Sequence, residues 1–253
     1  MVTQPLDDDL GHPYDGPTQA ARVVSLVPSI SEALASAHPE ALVGVTDWCT
    51  HPADLAERGA VRVRGTKNPD LAAIRALRPD VVVVNKEENR ALDVRRLRDS
   101  GIRVWVTDIE TVPAAVTSLE RLFDALGWAA PDWLGACRER WCGPLPPVTR
   151  RVAVPIWRDP WMVVGSATFT GDLLRRLGWE NVYAEHPQRY PAVELADLDA
   201  AGADAVLLPD EPYVFTADDG PEAFARTPTE LVSGRLLTWY GPSLVQLAEQ
   251  HPG

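Results

Sequence analysis

The stretch Gly65–Arg90, GTKNPDLAAIRALRPDVVVVNKEENR, reads in order as loop, helix, turn, strand and polar loop. Asn68 is a good N-cap type, Pro69 suits the first helical position, and Asp70 favours the positive end of a helix. Leu71, Ile74 and Leu77 then fall on one helical face. Pro79 cannot continue the helix, so the chain turns there. Val81 to Val84 is an unbroken β-branched run, the pattern of a strand covered on both faces of a parallel sheet. Asn85, Lys86, Glu87, Glu88 and Asn89 follow at the strand's carboxyl end. Open α/β sheets hold ligands at that edge.

The same plan returns in Leu195–Tyr213, LADLDAAGADAVLLPDEPY. A short helix carries Leu195 and Leu198, the chain turns at Gly202, a buried strand runs from Ala205 to Leu208, and an acidic loop with Asp210 and Glu211 ends it. One spacing relates Asp80 to Asp204 and Glu87 to Glu211. Arg22–Val27 is similar to Arg151–Ile156, and the strand Ile102–Val106 to Leu236–Tyr240, which reads as the last strand. The period is far too long for a solenoid, so the repeat marks two similar lobes.

Strands at 22–27, 42–45 and 102–106 alternate with helices at 32–37, 90–100 and 112–126 in the first lobe. In the second, strands at 151–156 and 162–164 precede a helix at 171–177 capped by Thr170, and a last helix spans 244–250. Alternation of this kind predicts an α/β chain of two Rossmann-like lobes with mainly parallel sheets, joined by a connecting helix. The expected divisions are a disordered acidic tail over 1–21, an N-terminal lobe over 22–130, a helix and proline-rich connector over 131–149, and a C-terminal lobe over 150–253.

A chain of 253 residues has room for two such lobes. Its net charge of −12 and lack of a basic stripe argue against nucleic acid and anionic membranes as partners. No apolar run approaches the roughly 20 residues that span a bilayer. The N-terminus has neither a basic start nor an apolar core, so it does not read as a secretory signal, and the sequence as it stands predicts a cytoplasmic, monomeric protein. Three cysteines make no disulfide framework; Cys137 and Cys142 read as packing residues, and Cys49 lies in the loop Trp48–Pro52. Only five histidines are present, and the donors left for a metal, His51, Cys49, Glu87 and Glu211, are scattered. No metal site and no required cofactor are expected. Gly-x-Ser-x-Gly, P-loop and Gly-x-Gly-x-x-Gly patterns are missing, and Cys49 with His51 makes a poor nucleophile–base pair, so no catalytic residue is assigned.

Arg22–Ser29 followed by Ser31-Glu32, the run Leu42–Thr46, and Leu77-Arg78-Pro79-Asp80-Val81-Val82 together resemble the helical-backbone (class III) substrate-binding proteins of ABC importers. The resemblance covers about 22–250 and is nearest to the cobalamin-binding branch. It implies two α/β lobes, a connecting helix, and a small-molecule ligand clamped in a cleft between the lobes, without catalysis. It also implies a location outside the cytoplasm and an ABC permease as partner. Trp48 and Tyr190 match positions of aromatics that pack on the corrinoid, Trp239 falls close to a polar contact position, and Asn85 stands where another aromatic is usual. The permease-docking glutamates match Ala91 and Ala196, and neither is a glutamate.

A cleft of this type needs aromatic walls and a few placed polar groups. The strand-end loops supply Trp48, Trp157, Trp161, Tyr190, Tyr213, Trp239 and Tyr240 as walls. Thr66, Lys67, Asn85, Glu87, Glu88, Arg158 and Glu211 supply hydrogen bonds and charge. Acids and amides suit the many neutral amides of a corrinoid, so cobalamin is the expected ligand. Lys67, Arg158 and Arg189 keep a ferric siderophore open; haem binding, or a cytoplasmic corrinoid- or tetrapyrrole-handling enzyme or sensor on the same fold, stands as a further alternative.

Overall fold

The computed structural model describes residues 6–251. They fall into two compact units: residues up to Ile109 with Ala114–Cys137 and Tyr240–Pro242, and Glu110–Pro113 with Arg138–Trp239 and residues from Ser243 on. Both units are α/β, and their main sheets are parallel.

The first unit contains strands β1 (Leu6–Asp7), β2 (Pro13–Tyr14), β3 (Val23–Ser25), β4 (Leu42–Val45), β5 (Val61–Arg62), β6 (Val81–Asn85) and β7 (Val104–Thr107). Its helices are α1 (Pro28–Ala35), α2 (Leu71–Ala76) and α3 (Ala91–Asp99); α4 (Val112–Ala125) and α5 (Asp132–Trp141) run across the division. The five-stranded sheet has the order β5-β4-β3-β6-β7, every pairing parallel. Every residue of β6 is buried, which is why the valine run shows no alternation. Val24, Leu26, Val82, Val84 and Val106 form one core face with Ile74 of α2 and Leu97 of α3. Asp70, rather than Asn68, caps α2: its carboxylate accepts the N–H groups of Ala72 and Ala73.

Residues 6–21 correct the expectation of a disordered tail. β1 and β2 pair antiparallel, and the acids between them find arginines far along the chain. Asp8 is buried and accepts from Arg98, while Asp9 accepts from Arg121, Ser118 and the Asp108 N–H. Further on, Ala20 exchanges hydrogen bonds with Leu126 and the Trp128 indole. Long-range ion pairs of this kind leave no local sequence signal.

The second unit contains β8 (Arg150–Ala153), β9 (Pro155–Trp157), β10 (Met162–Val163), α6 (Phe169–Arg176), β11 (Trp179–Asn181), α7 (Leu195–Leu198), β12 (Ala205–Pro209), β13 (Thr229–Val232), α8 (Gly234–Thr238) and α9 (Ser243–Gln250). The sheet order is β11-β8-β12-β13, again parallel, with β9 and β10 as a separate antiparallel pair. Thr168 caps α6 through the Gly171 N–H; Thr170, the expected cap, instead donates to the Leu237 carbonyl. Leu236–Tyr240 is not a strand. α8 covers Gly234–Thr238, and β13 takes the sheet edge beside β12. A short, mostly apolar run fits a buried helix as well as a buried strand, and the core decides which. Among the described residues no helix is long and apolar enough to cross a membrane.

Candidate ligand-binding site

At the carboxyl edge of the first unit's sheet, the loop after β4 presents Trp48, 65 % exposed although the residues around it are anchored. Arg62, at the end of β5, donates to the Thr46 carbonyl at 2.7 Å and the Cys49 carbonyl at 2.8 Å, on either side of the indole. Asp47 N–H bonds the Arg64 carbonyl. The Cys49 thiol is buried in hydrogen-bond contact with Ser31 and Thr46 hydroxyls. Burial pushes its pKa up, with those hydroxyls pulling the other way, so it is an unreactive anchor. Gly65 packs against the loop, where a Cβ would stand 3.2 Å from the Trp48 Nε1 and 2.6 Å from the Asn68 Oδ1.

The polar run after β6 is a built turn. Asn85 is 4 % exposed; its Oδ1 accepts the N–H groups of Glu87 and Glu88, and its Nδ2 donates to Thr107. That carboxamide is spent on shaping the loop and is not a free ligand contact. Asn89 fastens the loop from the other side: its Oδ1 accepts from Asn85 N–H, and its Nδ2 donates to the carbonyls of Leu26 and Thr66. The Lys67 Nζ donates to the Glu87 carbonyl at 2.5 Å. Lys67 and Glu87 are exposed and Thr66 and Glu88 half-buried, so this edge offers an indole, a hydroxyl, an ammonium and two carboxylates.

Tyr240 belongs to this unit and is buried, with its hydroxyl 3.3 Å from Glu88 Oε1. Burial, and then the Glu88 charge, push the phenol well above its usual range. It orients Glu88 and is no exposed wall.

In the second unit Trp157 ends β9, 46 % exposed, with its ring edge-on to Tyr213 at 5.6 Å. Tyr213 donates to Asp219 at 2.7 Å, and Arg158 bonds both Asp219 and Glu222. The Arg158 hydrogen bond holds the Glu222 carboxyl below its usual range. Arg158 is thus matched by two acids within its own unit. Glu211 is half-buried in a loop held by the Asp210 carboxylate, which accepts the Gly234 N–H at 2.7 Å. Tyr190 is half-buried beside Arg189, which pairs with Glu110.

Two expected walls are core residues instead. Trp161 is 7 % exposed, stacked on Phe215 at 5.8 Å with Phe224 edge-on at 5.4 Å. Trp239 is 6 % exposed, at the end of α8. Residue type marks aromatic mass and not exposure. Sequence reasoning also missed Arg62, Asn89, Asp219 and Glu222. The only available signal was the placement of Asn89 within the polar run. Among the described residues no group of three or more His, Cys, Asp or Glu is arranged to hold a metal ion.

No family model matches the chain. The vitamin B12-binding protein of Pectobacterium carotovorum subsp. carotovorum (strain PC1) is 24 % identical over 201 residues, covering 76 % of this chain and 72 % of that protein. The periplasmic vitamin B12-binding protein BtuF of Vibrio cholerae matches with a TM-score of 0.73 at 17 % identity, over 92 % of this chain and 96 % of that one. A periplasmic heme-binding protein from Pseudomonas aeruginosa matches with a TM-score of 0.72 at 22 % identity, over 92 % and 94 %. The chain has the helical-backbone binding-protein fold. Ala91 opens α3 and Ala196 lies on α7, and both are exposed.

Proposed function

We propose that the chain is a non-catalytic binding protein for a bulky, cofactor-like ligand, a corrinoid such as cobalamin. The observation that carries this reading is Trp48: a large indole held out at a sheet's carboxyl edge by a buried thiol and a two-carbonyl arginine clamp. Leaving that much apolar surface in water costs free energy unless a ligand covers it. Thr66 and Lys67 follow Gly65, which packs on the indole, and Lys67 reaches the turn that carries Glu87 and Glu88, so the same edge offers polar groups, the composition of a small-molecule site. Trp157 and Tyr213 make a second aromatic face in the other unit, with Tyr190 and Glu211 on neighbouring loops. The vitamin B12-binding relative supports the corrinoid. Haem is the second reading, favoured by a heme-binding neighbour of nearly equal structural likeness.

The binding protein serves an ABC permease on this reading and acts as a monomer, with Ala91 and Ala196 in the docking positions, so docking proceeds without the usual glutamates. Calorimetric titration of the purified chain with cyanocobalamin, haemin and a ferric siderophore tests the ligand. Micromolar binding of cyanocobalamin, roughly −8 kcal/mol, is the expected result. Heat from haemin alone replaces the corrinoid with haem, and silence with all three removes the proposal.

A further inference from the structure

Lysine is scarce in this chain: Lys67 and Lys86 are the only two, against many arginines. Both stand at the same edge of the first unit, around the Glu87 turn. Their electrostatic situations differ. Lys86 Nζ lies 2.6 Å from Asp108 Oδ2, so its charge is matched. Lys67 Nζ donates to a main-chain carbonyl, that of Glu87, which satisfies one of its three donors and supplies a dipole, not a charge. Lys67 is exposed, and its loop is stiff, because Asn89 donates to the Thr66 carbonyl at 3.0 Å. Two residues earlier in that loop, Gly65 packs on the Trp48 indole. An indole and a charge-unmatched ammonium therefore stand on two touching loops of the same edge. The neighbouring carboxylates, Glu87 and Glu88, would repel any anion that came without a cation to meet it.

We propose that Lys67 is a specificity-determining residue of this edge, and that the ligand carries an anionic group, a carboxylate or a phosphodiester, beside the flat face that Trp48 covers. The inference rests on the edge being the ligand site. Lysine suits the role as a compact charge on a flexible stem that can keep its carbonyl anchor while meeting an anionic oxygen. The bond formed is charge-assisted and weakens as salt screens it.

The test uses Lys67→Gln, which keeps an N–H donor for the Glu87 carbonyl and removes the charge, and Lys67→Arg, which keeps the charge. The probes are cyanocobalamin, whose anionic group is its phosphodiester; dicyanocobinamide, a corrinoid without that group; and haemin, with two carboxylates. For whichever anionic probe the wild type binds, Lys67→Gln is expected to weaken binding about tenfold, the scale of one charge-assisted hydrogen bond in a partly solvated site. Lys67→Arg should recover most of the loss, and added salt should weaken the wild type more than the Gln variant. Dicyanocobinamide should bind wild type and Lys67→Gln alike. Equal affinity of wild type and Lys67→Gln for the anionic probe overturns the role of Lys67 and leaves the binding function standing. An equal loss on dicyanocobinamide also overturns it, by showing that the side chain merely shapes the loop. A wild type that binds neither cyanocobalamin nor haemin removes the underlying function, and this inference with it.

Discussion

Asp8 accepts a hydrogen bond from Arg98 at 3.0 Å, and the aspartate side chain is 1 % exposed. The same carboxylate accepts the N–H groups of Leu10 and His12 at 2.9 Å and of Val106 at 3.3 Å. It fastens the N-terminal hairpin to α3 and β7. Asp8→Ala would leave Arg98 without its acid and several N–H groups without an acceptor. The expected loss is about 1–3 kcal/mol of the first unit's stability, the usual cost of leaving hydrogen-bonding groups without their partner. Urea unfolding followed by near-ultraviolet circular dichroism reads it, since Tyr14 and Trp105 pack edge-on in this unit. An unchanged midpoint would mean the hairpin rests on the sheet without anchoring it.

Arg62 and Trp48 make the second case. Arg62→Ala frees two carbonyls that flank the indole, so Trp48 is expected to lose its fixed position. Each bond from a charged donor contributes about 1.5–3 kcal/mol. Stability should fall by about that much, and ligand affinity by about tenfold, because ordering the loop then has to accompany binding. Lysine at 62 should recover little, since one ammonium does not reproduce the planar fork that spans both carbonyls. Tight binding retained in Arg62→Ala would show that the loop holds its shape without the clamp.

These two cases show where local sequence is informative. Val81–Val84 was legible as a strand because burial on both faces imposes an unbroken apolar run, and the turn after it was legible because polar residues cluster there. Asp8 with Arg98 was not legible, because partners so far apart in the chain leave no pattern in either segment. Leu236–Tyr240 misled because a short, mostly apolar run satisfies both periods, and the choice of helix came from what it packs against. Trp48 and Trp161 look equivalent in sequence, yet one lies on an edge loop and the other between Phe215 and Phe224. Exposure is a property of the fold, so candidate walls were readable by type and only partly by role.

Asp199 organises a loop of the second unit and should make it acid-sensitive. Its carboxylate accepts the N–H groups of Ala225, Arg226 and Thr227 at 2.8–3.1 Å. Burial alone would push the carboxyl up, but the N–H groups of Thr227, Ala225 and Arg226 outweigh it and hold the carboxyl below its usual range. A depressed folded-state pKa contributes stability that is present above the unfolded value, about 3.9, and is lost as pH falls through the folded one. Asp199→Asn should therefore lower stability at neutral pH and flatten the acid limb below about pH 4. Denaturant midpoints for the two proteins across that range check this; parallel acid limbs would assign the sensitivity elsewhere.

Gly234 fixes the loop that carries Glu211. A Cβ there would stand 2.6 Å from the Glu211 carbonyl oxygen and 2.9 Å from its nitrogen, so the backbone itself would have to give way. Gly234→Ala is expected to destabilise the second unit by about 1–3 kcal/mol, the range for overpacking, and to displace Glu211. Crystal structures of the two proteins would show the shift, and an unmoved Glu211 would count against tight packing at this point.

Tyr14 gives the first unit an alkaline limit. Its ring stands edge-on to Trp105 at 5.6 Å and 81°. Burial pushes the phenol up to about 12, with the Arg103 charge pulling down and Asp80 and Asp15 adding to the rise. A folded-state pKa above the ordinary 10 contributes stability that is whole below pH 10 and is lost as pH climbs from there through about 12. Tyr14→Phe removes the ionisation while keeping the edge-on ring. The variant should lose less stability than wild type between those two pH values. Ultraviolet difference titration should also show one late-ionising phenol fewer. If the wild-type protein ionises all its tyrosines near pH 10 while still folded, then the ring of Tyr14 is open to water and the hairpin does not seal Trp105.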